Sequence, residues 1–167
     1  MNKRRRSRGS TVLEFALVGV PMILVFVSIV EIGLAMWTYT SLAYTAKELN
    51  RYIAVHGKHC SSGTNNCALT VGDVATAAES YGMGLSSSTL NLTLTSPSTT
   101  YNCNPVSSCT SNSNAWPPVA DSTVGTLIQV KLQYQVNTVL PVMWPGSKGA
   151  NYGGYNLWAY SAQRVLF

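Results

Sequence analysis

Between Val12 and Trp37 the chain carries only two ionisable residues, Glu14 and Glu31. All other positions in that run are apolar, small or a neutral hydroxyl. At about 1.5 Å rise per residue, roughly 20 residues cross the hydrocarbon core of a bilayer, so the run is long enough to span one. A soluble protein of 18.0 kDa is too small to enclose so uniformly apolar a helix. Beyond Trp37 the pattern changes from uniform to amphipathic. Leu42, Ala46, Leu49 and Ile53 recur at helical spacing on one face, while Lys47 and Arg51 lie four apart elsewhere. The helix is therefore expected to leave the membrane and continue to about Val55, with Gly57 as its stop.

The remaining pattern predicts a small folded head. Val71–Tyr81 reads as a second helix, with Thr70 as N-cap, Asp73 in the first turn and Gly82 just past its end. Leu90, Leu92 and Leu94 alternate with polar residues, as do the apolar positions of 127–136, and both stretches read as strands. Tyr155–Val165 reads as a third. No helix of crossover length separates the last two strands, so they should pair antiparallel, backed by the long helix. Residues 96–124 and 141–154, rich in Ser, Asn, Pro and Gly, are expected to be loops. The fold class is α+β: a long N-terminal transmembrane helix extending into a small head with an antiparallel sheet. Four regions follow: a basic leader (1–9), a transmembrane segment (10–37), an amphipathic extension of the helix (38–57) and an exported head (58–167).

Composition alters this picture in one respect. The chain has a net charge of +5, which by itself would point toward nucleic acid. Five of the eleven Lys and Arg, however, fall in Lys3–Arg8, ahead of Gly9, and the other six balance the six acids. A nucleic-acid groove needs cations spread over a folded surface, so that class is set aside. The leader instead orients the helix. Cations flanking a membrane segment stay on the cytoplasmic side, which sends the head across the membrane.

A cleaved signal peptide is the main rival for the apolar run. Its apolar region is about 7–15 residues long and ends at a small-residue cleavage site. The run here is longer, and Trp37-Thr38-Tyr39-Thr40 offers no such site. Trp37, Tyr39 and Tyr44 suit the outer interface instead. Pro21 removes one backbone donor inside the run, so a kink or a locally unwound turn is expected there, and Gly19 and Gly33 permit close helix approach. Glu14 requires a reason, because an acid at mid-bilayer costs roughly 2.5–3.5 kcal/mol and less near the interface. Glu31 lies about 25 Å further along, near the other interface. It reaches either headgroup water or a contact with a partner subunit or assembly platform.

The string Gly9-Ser10-Thr11-Val12-Leu13-Glu14-Phe15-Ala16-Leu17, followed by Pro21 and by Glu31-Ile32-Gly33, resembles the TadE-like pseudopilins. These are minor pilin-like components of the tight-adherence (Flp, type IVb) pilus, and TadF-like proteins share the same N-terminal organisation. The resemblance covers residues 8–55 and continues weakly in the strands near Val130–Val136 and Trp158–Val165. It implies a pilin-like fold and cleavage between Gly9 and Ser10 by a prepilin peptidase. It implies that Glu14 then faces the freed Ser10 amine of a neighbouring subunit. The implied partners are a TadF-like pseudopilin, Flp pilin, the prepilin peptidase and the pilus assembly platform. The implied location is the bacterial inner membrane with a periplasmic head, or incorporation into the extracellular pilus. The neutral stretch after residue 95 is not accounted for by the resemblance.

Cys60, Cys67, Cys103 and Cys109 all lie beyond the membrane segment, where an oxidising compartment makes disulfides the default. Four cysteines allow three connectivities. Local pairing, Cys60 with Cys67 and Cys103 with Cys109, is expected because each pair sits within one loop. His56, His59, Cys60 and Cys67 match no usual zinc spacing, so neither metal nor cofactor is expected. The chain contains no G-x-S-x-G, P-loop or dinucleotide fingerprint, and an enzyme is not expected. An enzyme would need Asp73, Glu79 or Asp121 brought to a histidine by the fold. The alternative to an assembly role is a head whose cysteine-closed loops bind a host surface or carbohydrate.

Overall fold

The computed structural model describes residues 7–56, 69–137 and 154–166. A single helix, α1 (Ser7–Val55), runs for 49 residues and passes through Pro21 as one element. At 1.5 Å per residue it is about 74 Å long, far longer than the head it carries. Its two halves have opposite surroundings. The apolar half is bare, whereas Leu42, Ala46, Leu49 and Ile53 are all buried against the head. These four are the apolar face expected from their spacing.

The second helix, α2 (Val71–Tyr81), starts where its cap residues predict. Thr70 Oγ1 accepts from the Asp73 backbone N–H at 3.1 Å, and Asp73 Oδ2 accepts in return from the Thr70 backbone N–H at 2.9 Å. This reciprocal box satisfies donors that the helix itself leaves free. The loop that follows much later in sequence completes the cap. Val71 N–H donates to Asn114 O (2.8 Å) and Gly72 N–H to Asn112 O (2.9 Å).

Four strands form one antiparallel sheet: β1 (Leu90–Thr95), β2 (Thr100–Cys103), β3 (Leu127–Asn137) and β4 (Gly154–Arg164), in the order β2-β1-β3-β4. Leu92 pairs with Leu132 and Leu94 with Val130. The inward row of Leu90, Leu92, Leu94, Ile128, Val130 and Leu132 therefore covers one face of the sheet, on the side of α1, and shares one core with the buried residues of α1 and α2. The opposite face carries the polar alternates of β1 and β3, with Trp158 and Tyr160 of β4 beside them. The α+β architecture, with a helix long and apolar enough to cross a membrane and an antiparallel sheet behind its far half, matches expectation.

The stretch 96–124, expected as a loop, is a correction. It contains β2 and a short 3-10 turn, Val106–Cys109. Tyr101 and Cys103 do alternate inward, but a four-residue strand between Thr99 and Asn104 offers too short a period to read. Its strand character comes from pairing with β1, Leu94 opposite Tyr101. Val106 and Trp116 are buried in the core from this same stretch, and the Tyr101 ring meets Trp116 edge-on at 5.7 Å. Cys103 and Cys109 are bonded, with their Cα atoms 5.6 Å apart, so this expected pair is present. The Cys60–Cys67 pair, His59, Gly57 and nearly all of the 141–154 loop lie outside the described residues.

Candidate functional site

The chemistry-bearing residues of the sequence cluster on α1, and its bare half comes first. Thirteen large apolar side chains between Val12 and Val30 are exposed, from Leu24 at 41 % to Phe15 at 78 %. Burying one such side chain fully is worth about 1.5–3 kcal/mol. At an average exposure of roughly 60 %, leaving thirteen of them in water would cost roughly 12–24 kcal/mol, as much as a whole domain's stability. No part of this stretch is covered by the protein itself. A lipid environment removes the cost, and a single N-terminal apolar helix indicates single-pass membrane anchoring. The polar groups within the run are answered locally. Ser28 Oγ donates to Leu24 O (2.6 Å), and Thr38 Oγ1 donates to Leu34 O (2.8 Å).

Gly9 and Ser10 lie within the opening turns of α1. The first backbone donors of a helix have no intrahelical partner, and glycine costs about 1 kcal/mol relative to alanine in a helix. This end of α1 is thus the least costly part of the helix to unwind. Glu14 is exposed one turn further on. A Cβ at Gly33 would meet nothing within 4 Å, so the chain's own packing does not require its smallness.

Glu31 is only half-exposed, because the head reaches down to it. The Tyr155 phenol, at the start of β4, is held above its ordinary range first by burial and then by the nearby Glu31 charge. The sequence offered headgroup water or another subunit for Glu31; the fold brings a residue of the same chain to it. Tyr155 was not among the residues singled out, since no local pattern relates positions so far apart.

From there β4 climbs α1. Asn50 Nδ2 donates to Ser161 Oγ at 3.1 Å, and Leu166 N–H donates to Ala54 O at 3.1 Å. The last bond satisfies one of the carbonyls that a helix C-terminus leaves free. Asn50 Oδ1 and Trp116 Nε1 are buried without a hydrogen-bond partner among the described residues. Neither belongs to a cluster of reactive groups.

The remaining titratable residues have structural duties. Asp73 closes the α2 cap, and hydrogen bonds from Thr70 hold its carboxyl below the usual range. The buried Asp121 is likewise held low by the Ser96 and Ser98 hydroxyls, and it accepts from the Ser98 N–H at 2.9 Å. His56 Nδ1 lies 2.7 Å from Tyr52 O, and its ring stands 4.5 Å from that of Tyr52. Among the described residues no group of three or more His, Cys, Asp or Glu is placed to hold a metal ion.

No curated protein and no solved structure matches the chain. Residues 9–49, which begin at the glycine before Ser10 and end on the buried face of α1, match the family model described as TadE-like protein, and the long apolar helix carrying that match is consistent with a chain of this kind.

Proposed function

We propose that the protein is a minor pilin or pseudopilin, processed after Gly9, that takes part in assembly or initiation of a type IVb (Flp/Tad) pilus. The observation that carries this reading is the coincidence of the family match with the bare helix: the match opens at Gly9 and runs through the entire uncovered apolar segment. The leader keeps the N-terminus cytoplasmic and the head periplasmic. Cleavage removes all five leader cations and frees the Ser10 amine. Glu14 of one subunit then pairs with the Ser10 amine of its neighbour, each charge offsetting the desolvation of the other. The partners are a TadF-like pseudopilin, Flp pilin, the prepilin peptidase and the assembly platform. The role is structural rather than catalytic, in keeping with the family matched.

The decisive measurement is the N-terminal residue of the mature protein, together with Glu14→Ala. Ser10 as the first residue and a Glu14→Ala protein that is cleaved but absent from the assembled pilus are the expected results. An intact Met1, or normal incorporation of the variant, would sink the proposal.

A second reading, a surface- or carbohydrate-binding head, draws support from the outer face of the sheet. Trp158 and Tyr160 stand exposed two residues apart on β4, with Lys131 Nζ 4.2 Å from the centre of the Trp158 ring. Glycan binding by the wild-type chain that disappears in Tyr160→Ala would favour this reading over a purely structural role.

A further inference from the structure

β4 and α1 run in the same direction. The hydrogen bonds of Leu166 with Ala54 and of Ser161 with Asn50, and the groove that Tyr155 lines together with Ala35 and Met36, place the start of β4 at the apolar end of the helix. β3 descends to the same level, since its last residue, Asn137, pairs with Gly154. On another side of α1 the connection from α2 to β1 comes down as well. A Cβ on Gly84 would lie 3.9 Å from Trp37 Nε1, and the neighbouring Met83 is 71 % exposed. The base of the head is therefore a rim around residues 31–40 of the helix.

Within that rim an open groove of about 440 Å³ lies between α1 (Ala35, Met36, Tyr39) and β4 (Tyr155, Leu157). Its helix wall continues the bare apolar surface through Ile32 and Met36, which is 65 % exposed, with Glu31 at the groove's lower edge. Depth follows from helical rise. The bare stretch from Val12 to Val30 measures about 27 Å, close to the ~30 Å hydrocarbon thickness, and headgroups add about 6 Å on each side. Carried to the full ~30 Å from Val12, the hydrocarbon ends near residue 32, so Ala35 and Met36 lie within the headgroup layer and Tyr39 about a turn above them, which puts the lower part of the groove at headgroup level. Tyr39 and Tyr155 have the amphipathic rings favoured at that depth.

We propose that the groove between α1 and β4 is a lipid-contact site: a phospholipid of the head-side leaflet reaches up into it, its glycerol and headgroup region against Met36 and Tyr155 at the lower edge and beside Tyr39 and Leu157 above. The head then rests on the bilayer instead of standing away from it on a free length of helix. The continuity of the groove with the membrane-facing helix selects lipid as the occupant. The proposal rests on the helix spanning a bilayer, but it is independent of processing and of pilus assembly.

The test is photo-crosslinking of the full chain in vesicles of phosphatidylethanolamine and phosphatidylglycerol with radiolabelled acyl chains. A benzophenone amino acid is placed singly at Leu157, Met36, Leu24 or Tyr160. Met36 lies outside the head core, so its replacement leaves folding intact even where that of Leu157 does not. Leu24 reports on the membrane segment and Tyr160 on the outer sheet face. The expected result is lipid adduct at Met36 and Leu157 approaching that at Leu24 and well above that at Tyr160. Labelling at Leu24 alone overturns the groove proposal while leaving the anchor standing. Adducts from Met36 and Leu157 to a second copy, or to residues 138–153 of the same chain, overturn it equally. Absence of lipid adduct at Leu24 removes the spanning helix and the proposal together.

Discussion

Leu49→Ala separates the two halves of α1. Leu49 is fully buried between the helix and the head, whereas Leu24 on the same helix is 41 % exposed toward the membrane side. Truncating a buried leucine removes its transfer free energy and leaves a cavity that neighbours fill only partly, a loss of about 2–5 kcal/mol. The surroundings of Leu49 are two rigid layers, α1 and the sheet, so little collapse is available and roughly 3 kcal/mol is expected. For a head of this size each kcal/mol is worth about 3–5 °C, which makes the shift in melting temperature roughly 10–15 °C. Leu24→Ala should leave the head's melting unchanged, because its side chain touches no head residue in the core cluster. Near-ultraviolet circular dichroism of the full chain in detergent micelles follows the tertiary packing directly. Equal shifts for both variants, or a Leu49→Ala shift below about 2 °C, would refute the division of the helix into a lipid-facing and a head-bearing half.

Three further outcomes follow from the head. Gly72→Ala should destabilise it severely, by about 2 kcal/mol or more, since the new Cβ would sit 2.6 Å from Thr110 O and 2.9 Å from Asn112 O, both backbone atoms; chemical denaturation measures the loss. Asp121 has a folded pKa below its unfolded value of 3.8, so its contribution is complete above that value and is lost as pH falls through and below it. Asp121→Asn should therefore be less stable than wild type at neutral pH and lose less stability between neutral pH and the acid side of that value; parallel melting curves of the two proteins test the sign. Replacing Cys103 and Cys109 together by serine opens a loop of sequence separation 6 and should lower stability by about 2 kcal/mol, with denaturation of the oxidised wild type as the reference.

Most of the elements were legible because their signals are local. The α2 helix declares itself through Thr70 and Asp73, whose reciprocal hydrogen bonds span three residues. Strands β1 and β3 declare themselves through apolar positions two apart, and their pairing places those rows on one face. The stretch from 96 to 124 was not legible, since its order comes from outside it. β2 borrows its hydrogen bonds from β1, the carbonyls of Asn112 and Asn114 are held by α2, and Trp116 fills a core built by other segments. A polar, proline-containing composition looks the same whether a chain is free or pinned in this way. At the candidate site, Gly9, Glu14 and Pro21 stand out in sequence because each is an exception within an apolar or basic run. Tyr155, Leu157 and Met83 do not, being ordinary residues whose meaning depends on what lies beside them.

Sequence alone determined that this chain has a membrane-length helix, where its amphipathic face begins, and where its net charge resides. Those properties depend on the order of residues along one continuous segment, and helical rise converts that order directly into length and facing. Tertiary structure decided how far down the helix the head extends. β4 runs alongside α1 from the level of Ala54 to that of Glu31, a consequence of sheet register and helix–sheet packing between residues more than a hundred positions apart. Glu31 is a lone acid in an apolar run when read along the chain; in the folded protein it lies at the base of the head, beside Tyr155.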